Sequence, residues 1–189
     1  MIKVVAMALQ LKQQIHDREG LKNLLNDMAE RICADDFHFQ NLAMIGIMRT
    51  GAPIADYLAK RISEVKGVDV PVAYMDITLY RDDMIDSAFE PFSRQTEIPF
   101  AVKNREIILV DDVLFTGRTV RAALTSIVAQ GRPKLVRLAV VVDRGHRELP
   151  IRADYVGMTL STSRREGVRV RINAPDQETG IYLYEESAT

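Results

Sequence analysis

The sequence predicts an α/β fold: one domain, with a central, mostly parallel sheet flanked by helices. Short apolar runs, of the kind seen in strands covered on both faces, alternate with stretches whose apolar residues recur at helical spacing. Polar, glycine-containing clusters at 49–51, 111–119 and 143–147 each follow such a run, which is where parallel sheets bind ligands. A chain of 189 residues is one domain's worth, long enough to bury a sizeable core.

Residues 1–19 read as an extension before the first element; its apolar opening is short and is followed by no convincing cleavage site. After Gly20, the spacing of Leu21, Leu24, Leu25, Met28 and Ile32 predicts a helix. Its other face and ends are acidic, with Asp17, Glu19, Asp27, Glu30, Asp35 and Asp36 against Arg18, Lys22 and Arg31. Residues 42–47 read as a buried strand that runs into Arg49, Thr50 and Gly51. Behind them a helix is signalled by Pro53 in its first turn and by Ile54, Leu58, Ile62 and Val65. Residues 70–80 supply β-branched and aromatic residues suited to a strand. The polar run 83–99 has no clear period, and a stretch of that length within a domain is usually a functional or mobile loop.

The chain is organised around residues 106–119. Ile107, Ile108, Leu109 and Val110 form an apolar strand, Asp111 and Asp112 follow, and the turn Thr116, Gly117, Arg118, Thr119 feeds a helix. Val120, Ala123, Leu124, Ile127 and Val128 keep helical spacing, and Gly131 with Pro133 supplies the stop. A last long strand at 134–142 ends at Asp143, Arg144, Gly145, His146 and Arg147, and shorter strands are predicted at 155–158, 168–172 and 181–184.

The chemistry of the central turn is that of an anion site. The first N–H groups of a helix have no partner within it, and the helix dipole adds positive potential there. Gly117 permits close approach, Thr116 and Thr119 add hydroxyls, and Arg118 adds charge. Two adjacent carboxylates would repel a phosphate unless they hold something else, such as ribose hydroxyls or a hydrated Mg²⁺. The pattern of a nucleoside triphosphate loop is absent.

Composition narrows the function classes. Lys and Arg total 25 against 26 Asp and Glu, a net charge of −1, which argues against wholesale nucleic-acid binding while leaving room for a local patch. No apolar run approaches a membrane span. The single cysteine, Cys33, excludes an intramolecular disulfide and, with the missing cleavage site, points to the cytoplasm.

The central stretch, with its apolar residues, two acids and Thr-Gly loop, resembles the phosphoribosyl pyrophosphate (PRPP) motif of type I phosphoribosyltransferases. Residues 142–157 resemble the segment characteristic of the PyrR family, in which uracil phosphoribosyltransferase activity coexists with RNA-dependent attenuation of pyrimidine operons. The resemblance covers roughly residues 21–186. It implies a type I phosphoribosyltransferase fold with a small hood and a flexible active-site hairpin over 80–100, which begins at Tyr80, Arg81, Asp82 and Asp83 and closes over the substrate. It implies PRPP and uracil as substrates, with UMP and pyrophosphate as products.

By the same resemblance Asp111 and Asp112 are catalytic and hold the ribose. They, Val113, Leu114, Phe115, Thr116, Gly117, Arg118 and Thr119 form the ribose and 5-phosphate site, while Arg49, Thr50 and Gly51 take the pyrophosphate. The family order in that second loop is Thr-Arg-Gly, so the exchange here alters side-chain directions but keeps backbone donors. Arg144 and Val168 fall in the base pocket. Mg²⁺ is implied, bound mainly through PRPP rather than directly by the protein, and a homo-oligomer is expected. His146 is a further candidate for proton transfer, although a hydrogen-bonded histidine is the commoner outcome.

RNA is the second partner that the resemblance raises, with Arg147 and Arg152 as candidate contacts. Arg137, Arg164, Arg165, Arg169 and Arg171 extend a basic set that Asp143, Glu148, Asp154 and Glu166 dilute. Against it stand Asn26, Glu30 and Asp35 in the first helix and Met158, which lies where a lysine is expected; an acid facing a phosphate costs affinity. The enzyme therefore ranks above an RNA-binding regulator with little activity, and above a transferase for another base.

Overall fold

Chain order is β1 (Leu9–His16), α1 (Arg18–Ala34), β2 (Leu42–Ile47), α2 (Gly51–Lys66), β3 (Val72–Met75), β4 (Glu106–Leu114), α3 (Arg118–Gln130), β5 (Leu135–Asp143), β6 (Tyr155–Thr159), β7 (Glu166–Arg171) and β8 (Gly180–Glu186). The computed structural model describes residues 9–77, 98–172 and 178–186. The expected active-site hairpin, with Tyr80, Arg81, Asp82 and Asp83, lies mostly outside the described residues.

Five strands form a parallel sheet in the order β3-β2-β4-β5-β6. From β2 the chain crosses by α2 to β3 in one direction; from β4 it crosses by α3 to β5 in the other. The connection therefore reverses between β2 and β4, and such a reversal opens a crevice at the strands' carboxyl ends. Right-handed crossovers in opposite directions place the two helices on opposite faces. The core shows this division. Leu42, Met44, Ile108, Val110 and Val141 pack with Leu21, Met28, Ile54 and Leu58 of α1 and α2. Ile45, Ile47, Ile107, Leu109 and Val140 pack with Val120, Ala123 and Ile127 of α3. Alternate residues of one strand serve the two layers, so β4 must be apolar at consecutive positions.

A second, antiparallel sheet, β1-β8-β7, forms the hood. Val170 and Ile181 from it join the α1 and α2 layer of the core. Residues 9–16, read from sequence as part of an extension, are in fact its edge strand. Leu9 and Leu11 are 42% and 57% exposed, so the alternation in this strand does not mark a core face.

Other boundaries also differ from expectation. The first helix starts at Arg18 rather than after Gly20, because the Asp17 carboxylate accepts the Gly20 N–H at 2.9 Å and caps it. β3 stops at Met75, short of the expected end at 80. Val65 and Val128, counted as apolar-face positions, are each 61% exposed. β4 continues through both aspartates to Leu114 instead of ending before them.

Among the described residues no helix is long and apolar enough to cross a membrane.

Candidate functional site

The two carboxylates owe their position to unequal strand lengths. β4 pairs with β2 only as far as Val110, opposite Gly46, while its pairing with β5 runs on to Leu114, opposite Asp143. Beyond Val110 the β2 side of β4 is therefore open, and Asp111 and Asp112 occupy that opening at the crevice. Strand alternation sends Asp112 to the same side as Ile108 and Val110, the α2 side, and Asp111 to the other.

Asp111 is buried and Asp112 half-buried. Asp111 Oδ1 accepts the Asp112 N–H at 3.0 Å, and Asp112 Oδ1 accepts the Val113 N–H at 2.9 Å. Burial pushes the Asp112 carboxyl above the usual carboxylate range, although the Val113 N–H, Asp111 and the Thr50 hydroxyl pull it back.

The turn after β4 delivers Thr116 and Gly117 to the start of α3. Gly117 has φ +93°, a conformation that glycine adopts without a Cβ penalty, and it packs against Ile151 and Leu149. Gly117, lacking a side chain, supplies no cap of its own, in contrast to Asp17 on α1. Thr116 Oγ1 accepts the Arg118 N–H at 3.3 Å, and Arg118 Nε donates to Glu148 at 2.9 Å. Thr119 is half-buried in the first turn.

The second turn, after β2, has the same design. Thr50 precedes α2 with no side-chain cap, Arg49 is exposed, and the peptide between Met48 and Arg49 is cis. A Cβ on Gly51 would meet the Val110 carbonyl oxygen at 2.5 Å and Asp111 Cα at 3.2 Å. One on Gly46 would meet Ala52 Cα at 2.7 Å. Two missing side chains thus let the start of α2 settle on β2 and against the carboxylate end of β4. Gly51 therefore sits directly against the start of the 111–119 stretch.

The third cluster braces the turn after β4 and ties it to the 162–166 loop. Arg144 is buried; its guanidinium lies 4.1 Å from the Phe115 ring centre and donates to Thr162 Oγ1 at 3.0 Å, to the Ser163 carbonyl at 2.9 Å and to the Glu166 carbonyl. Burial pulls it below the ordinary arginine value. The His146 ring meets Phe115 edge-on at 5.8 Å, and its Nε2 donates to the Thr162 carbonyl at 2.5 Å. Arg144 and His146 therefore bind the 115 turn to the loop leading into β7. Val168 lies on β7, opposite Leu183 of β8, with its side chain against the α1 and α2 core, so its backbone is what it has left to offer a ligand.

Arg147 turns inward and is hydrogen-bonded throughout its guanidinium, whereas Arg152 is exposed. The roles of Arg147 and Glu148 were not visible in the sequence, since their partners on the 114–118 stretch lie about 30 residues or more away, and the 162–166 loop meets Arg144 and His146 across 16 to 22 residues. The only local hint is the spacing of Asp143 and Arg147, which form an ion pair.

A family model described as the phosphoribosyl transferase domain matches residues 12–173. A bifunctional protein PyrR of Pelotomaculum thermopropionicum is 51% identical over 174 residues, covering 92% of this chain and 96% of that protein. One of Deinococcus radiodurans is 47% identical over 174 residues, covering 92% and 95%. Among solved structures, a hypoxanthine-guanine phosphoribosyltransferase of Bacillus anthracis aligns with a TM-score of 0.69 at 17% identity, covering 94% of this chain and 99% of that one. The enzyme of Leishmania tarentolae in complex with GMP aligns at 0.69 and 18%, covering 95% and 98%. At such identities the two structures speak to the fold alone, and they share it. The domain match and the close relatives, together with the crevice at the reversal of the sheet, place the chain in the phosphoribosyltransferase family, within its PyrR group.

Proposed function

We propose that this chain is a cytoplasmic uracil phosphoribosyltransferase that converts uracil and PRPP to UMP and pyrophosphate. The observation that carries the reading is the seating of Gly51 on Val110 and Asp111, which brings the start of α2 beside a pair of carboxylates on the strand that leads into α3. PRPP has phosphate at both ends of a ribose, and that arrangement matches it: residues 116–119 take the 5-phosphate, 49–51 the pyrophosphate, and Asp111 and Asp112 the ribose hydroxyls.

In the reaction the uracil N1–C1 bond forms as the bond from C1 to the pyrophosphate oxygen breaks, and the N1 proton leaves to solvent. The sugar ring carries positive charge at the transition state, as in glycoside cleavage. Negative potential from the two aspartates stabilises that charge, and the two loops fix the ring against it. The carboxylates are hard oxygen donors of the sort Mg²⁺ accepts. Mg²⁺ keeps much of its water shell and favours phosphate oxygens, so PRPP and water would supply most of its ligands. When bound, Mg²⁺ supplies charge that offsets that of the leaving pyrophosphate. Incubation with uracil, PRPP and Mg²⁺ should yield UMP; conversion of a different base in its place would contradict the assignment.

A second activity, UMP-dependent RNA binding, is favoured by one observation: the relatives bear the name bifunctional. Asp35, an acid that counted against RNA in the sequence, is bound by Arg137 and by the Tyr155 hydroxyl at 2.6 Å, a pairing that withdraws one acid and one candidate basic residue together. A salt-dependent gel shift with a pyrimidine-operon leader transcript, with and without UMP, tests this. Tight binding enhanced by UMP is the supporting result, and none at low salt the contrary one.

A further inference from the structure

Three consecutive carbonyls, at the end of β4 and in the turn after it, are held by the 143–149 segment. The Thr116 oxygen accepts the N–H groups of Glu148 at 3.0 Å and Leu149 at 3.3 Å. The Leu114 and Phe115 oxygens both accept from Arg147 Nη1, at 3.2 and 2.7 Å. The same guanidinium donates to the Gly145 carbonyl at 2.9 Å and, through Nε, to Ile151 at 3.1 Å, and Nη2 pairs with Asp143. Asp143 in turn accepts the Gly145 N–H at 3.0 Å, so the arginine and the turn beneath it share one anchor.

In a trans peptide a carbonyl and the N–H of the next residue lie in one plane and point in opposite directions. Fixing the carbonyls of Leu114 and Phe115 therefore fixes the directions of the Phe115 and Thr116 N–H groups. These lead into the anion loop. We infer that Arg147 is a positioning residue that aims the backbone donors of the phosphate loop from behind, rather than a surface cation. Its charge is matched by Asp143, and its fork geometry, which a lysine lacks, joins the carbonyls at Nη1 to the Asp143 carboxylate at Nη2 and the Ile151 carbonyl at Nε. This rests on the reading of residues 116–119 as the 5-phosphate cradle.

The test compares Arg147→Lys and Arg147→Met with the parent protein, after thermal melting has established that each variant folds. Loss of loop geometry should raise the KM for PRPP about tenfold or more while the KM for uracil moves by no more than about threefold. Lysine should behave like methionine, because the fork and not the charge is lost. Asp143→Asn, which loosens the guanidinium without removing it, should give an intermediate rise and serves if the Arg147 variants do not fold. Arg132→Met, at an exposed cation outside the crevice, should leave both constants unchanged. A PRPP KM within about twofold of the parent in a folded variant, or equal rises for both substrates, would overturn the inference. Calorimetric binding of ribose 5-phosphate separates this from the wider assignment. A parent protein that binds it but does not convert uracil defeats the transferase reading, and the variants' weaker or equal binding still decides the role of Arg147.

Discussion

Gly51 and Val110 approach so closely that a side chain on the glycine would overlap the valine's carbonyl oxygen at 2.5 Å. The contact joins the start of α2 to the last point at which β2 and β4 are paired, Gly46 opposite Val110. Everything in the crevice is measured from that junction, since Asp111 and Asp112 follow it on one strand and residues 49–51 cross it on the other.

Gly51→Ala is therefore expected to push α2 off β4. Overpacking of this kind costs about 1–3 kcal/mol of stability, which urea unfolding would report. Because the displaced turn is the one assigned to pyrophosphate, kcat/KM for PRPP should fall by about tenfold to a hundredfold. Parent-like unfolding and kinetics would mean that the junction relaxes freely.

Asp112→Asn separates chemistry from folding. Burial raises the folded pKa of this carboxyl, so its ionised form works against folding above the unfolded pKa and does not below it. The amide should leave the melting temperature at or above that of the parent at pH 7, with the difference fading as pH falls through the carboxylate range. Turnover should drop by a factor on the order of 10² or more as one of the two negative groups beside the sugar is lost. Unchanged kinetics would return Asp112 to a purely structural role.

At the far end of β4, Glu106 is 1% exposed and accepts from Lys134 Nζ at 2.5 Å and from the His38 N–H at 2.7 Å. Burial alone would raise its pKa, but the lysine and the His38 N–H outweigh it and hold the carboxyl below its ordinary value. The sign follows: this group contributes stability above the unfolded pKa and loses it as pH falls through the folded one. Lys134→Met should cost about 1–2 kcal/mol at pH 7, and the deficit should shrink as pH falls below the ordinary glutamate value towards the lower folded one and Glu106 becomes protonated. Denaturant titrations at pH 7, 5 and 3.5 read this directly; a deficit that persists in acid would point to lost packing of the lysine stem instead.

Tyr155 ties α1 to the sheet through Asp35 at 2.6 Å and Arg137 at 2.8 Å, and its hydroxyl is pushed up to about 12, first by burial and then by the Asp35 carboxylate. A raised pKa contributes stability that is complete below the unfolded value near 10 and is lost as pH rises through the folded one. Tyr155→Phe should cost about 1 kcal/mol at neutral pH and show a shallower loss of stability between roughly pH 10 and 12. Thermal melting across that interval distinguishes the two proteins.

The central sheet was legible in the sequence because both of its faces are covered. Ile107 to Val110 serve two cores at once, and only a continuous apolar run does that. The anion turns were legible for a related reason: glycine and threonine at a strand end are local signals. The hood strand Leu9–His16 was missed because its leucines face outward and its pairing partner, β8, lies at the opposite end of the chain. Arg147 reads as surface charge in sequence, and only the folding back of residues 143–149 on the 114–116 turn gives it acceptors. The partners of the acid at 35 were hidden in the same way, since Arg137 and Tyr155 are 102 and 120 residues distant.

The central claim, transfer of ribose 5-phosphate to uracil, is tested most directly by pyrophosphate release from PRPP and Mg²⁺ over a panel of bases: uracil, hypoxanthine, guanine, adenine and orotate. The account predicts a kcat/KM for uracil at least about a hundredfold above any other base, the margin expected of a pocket that hydrogen-bonds its substrate. Faster release with a purine or with orotate, or no release with uracil, would contradict it.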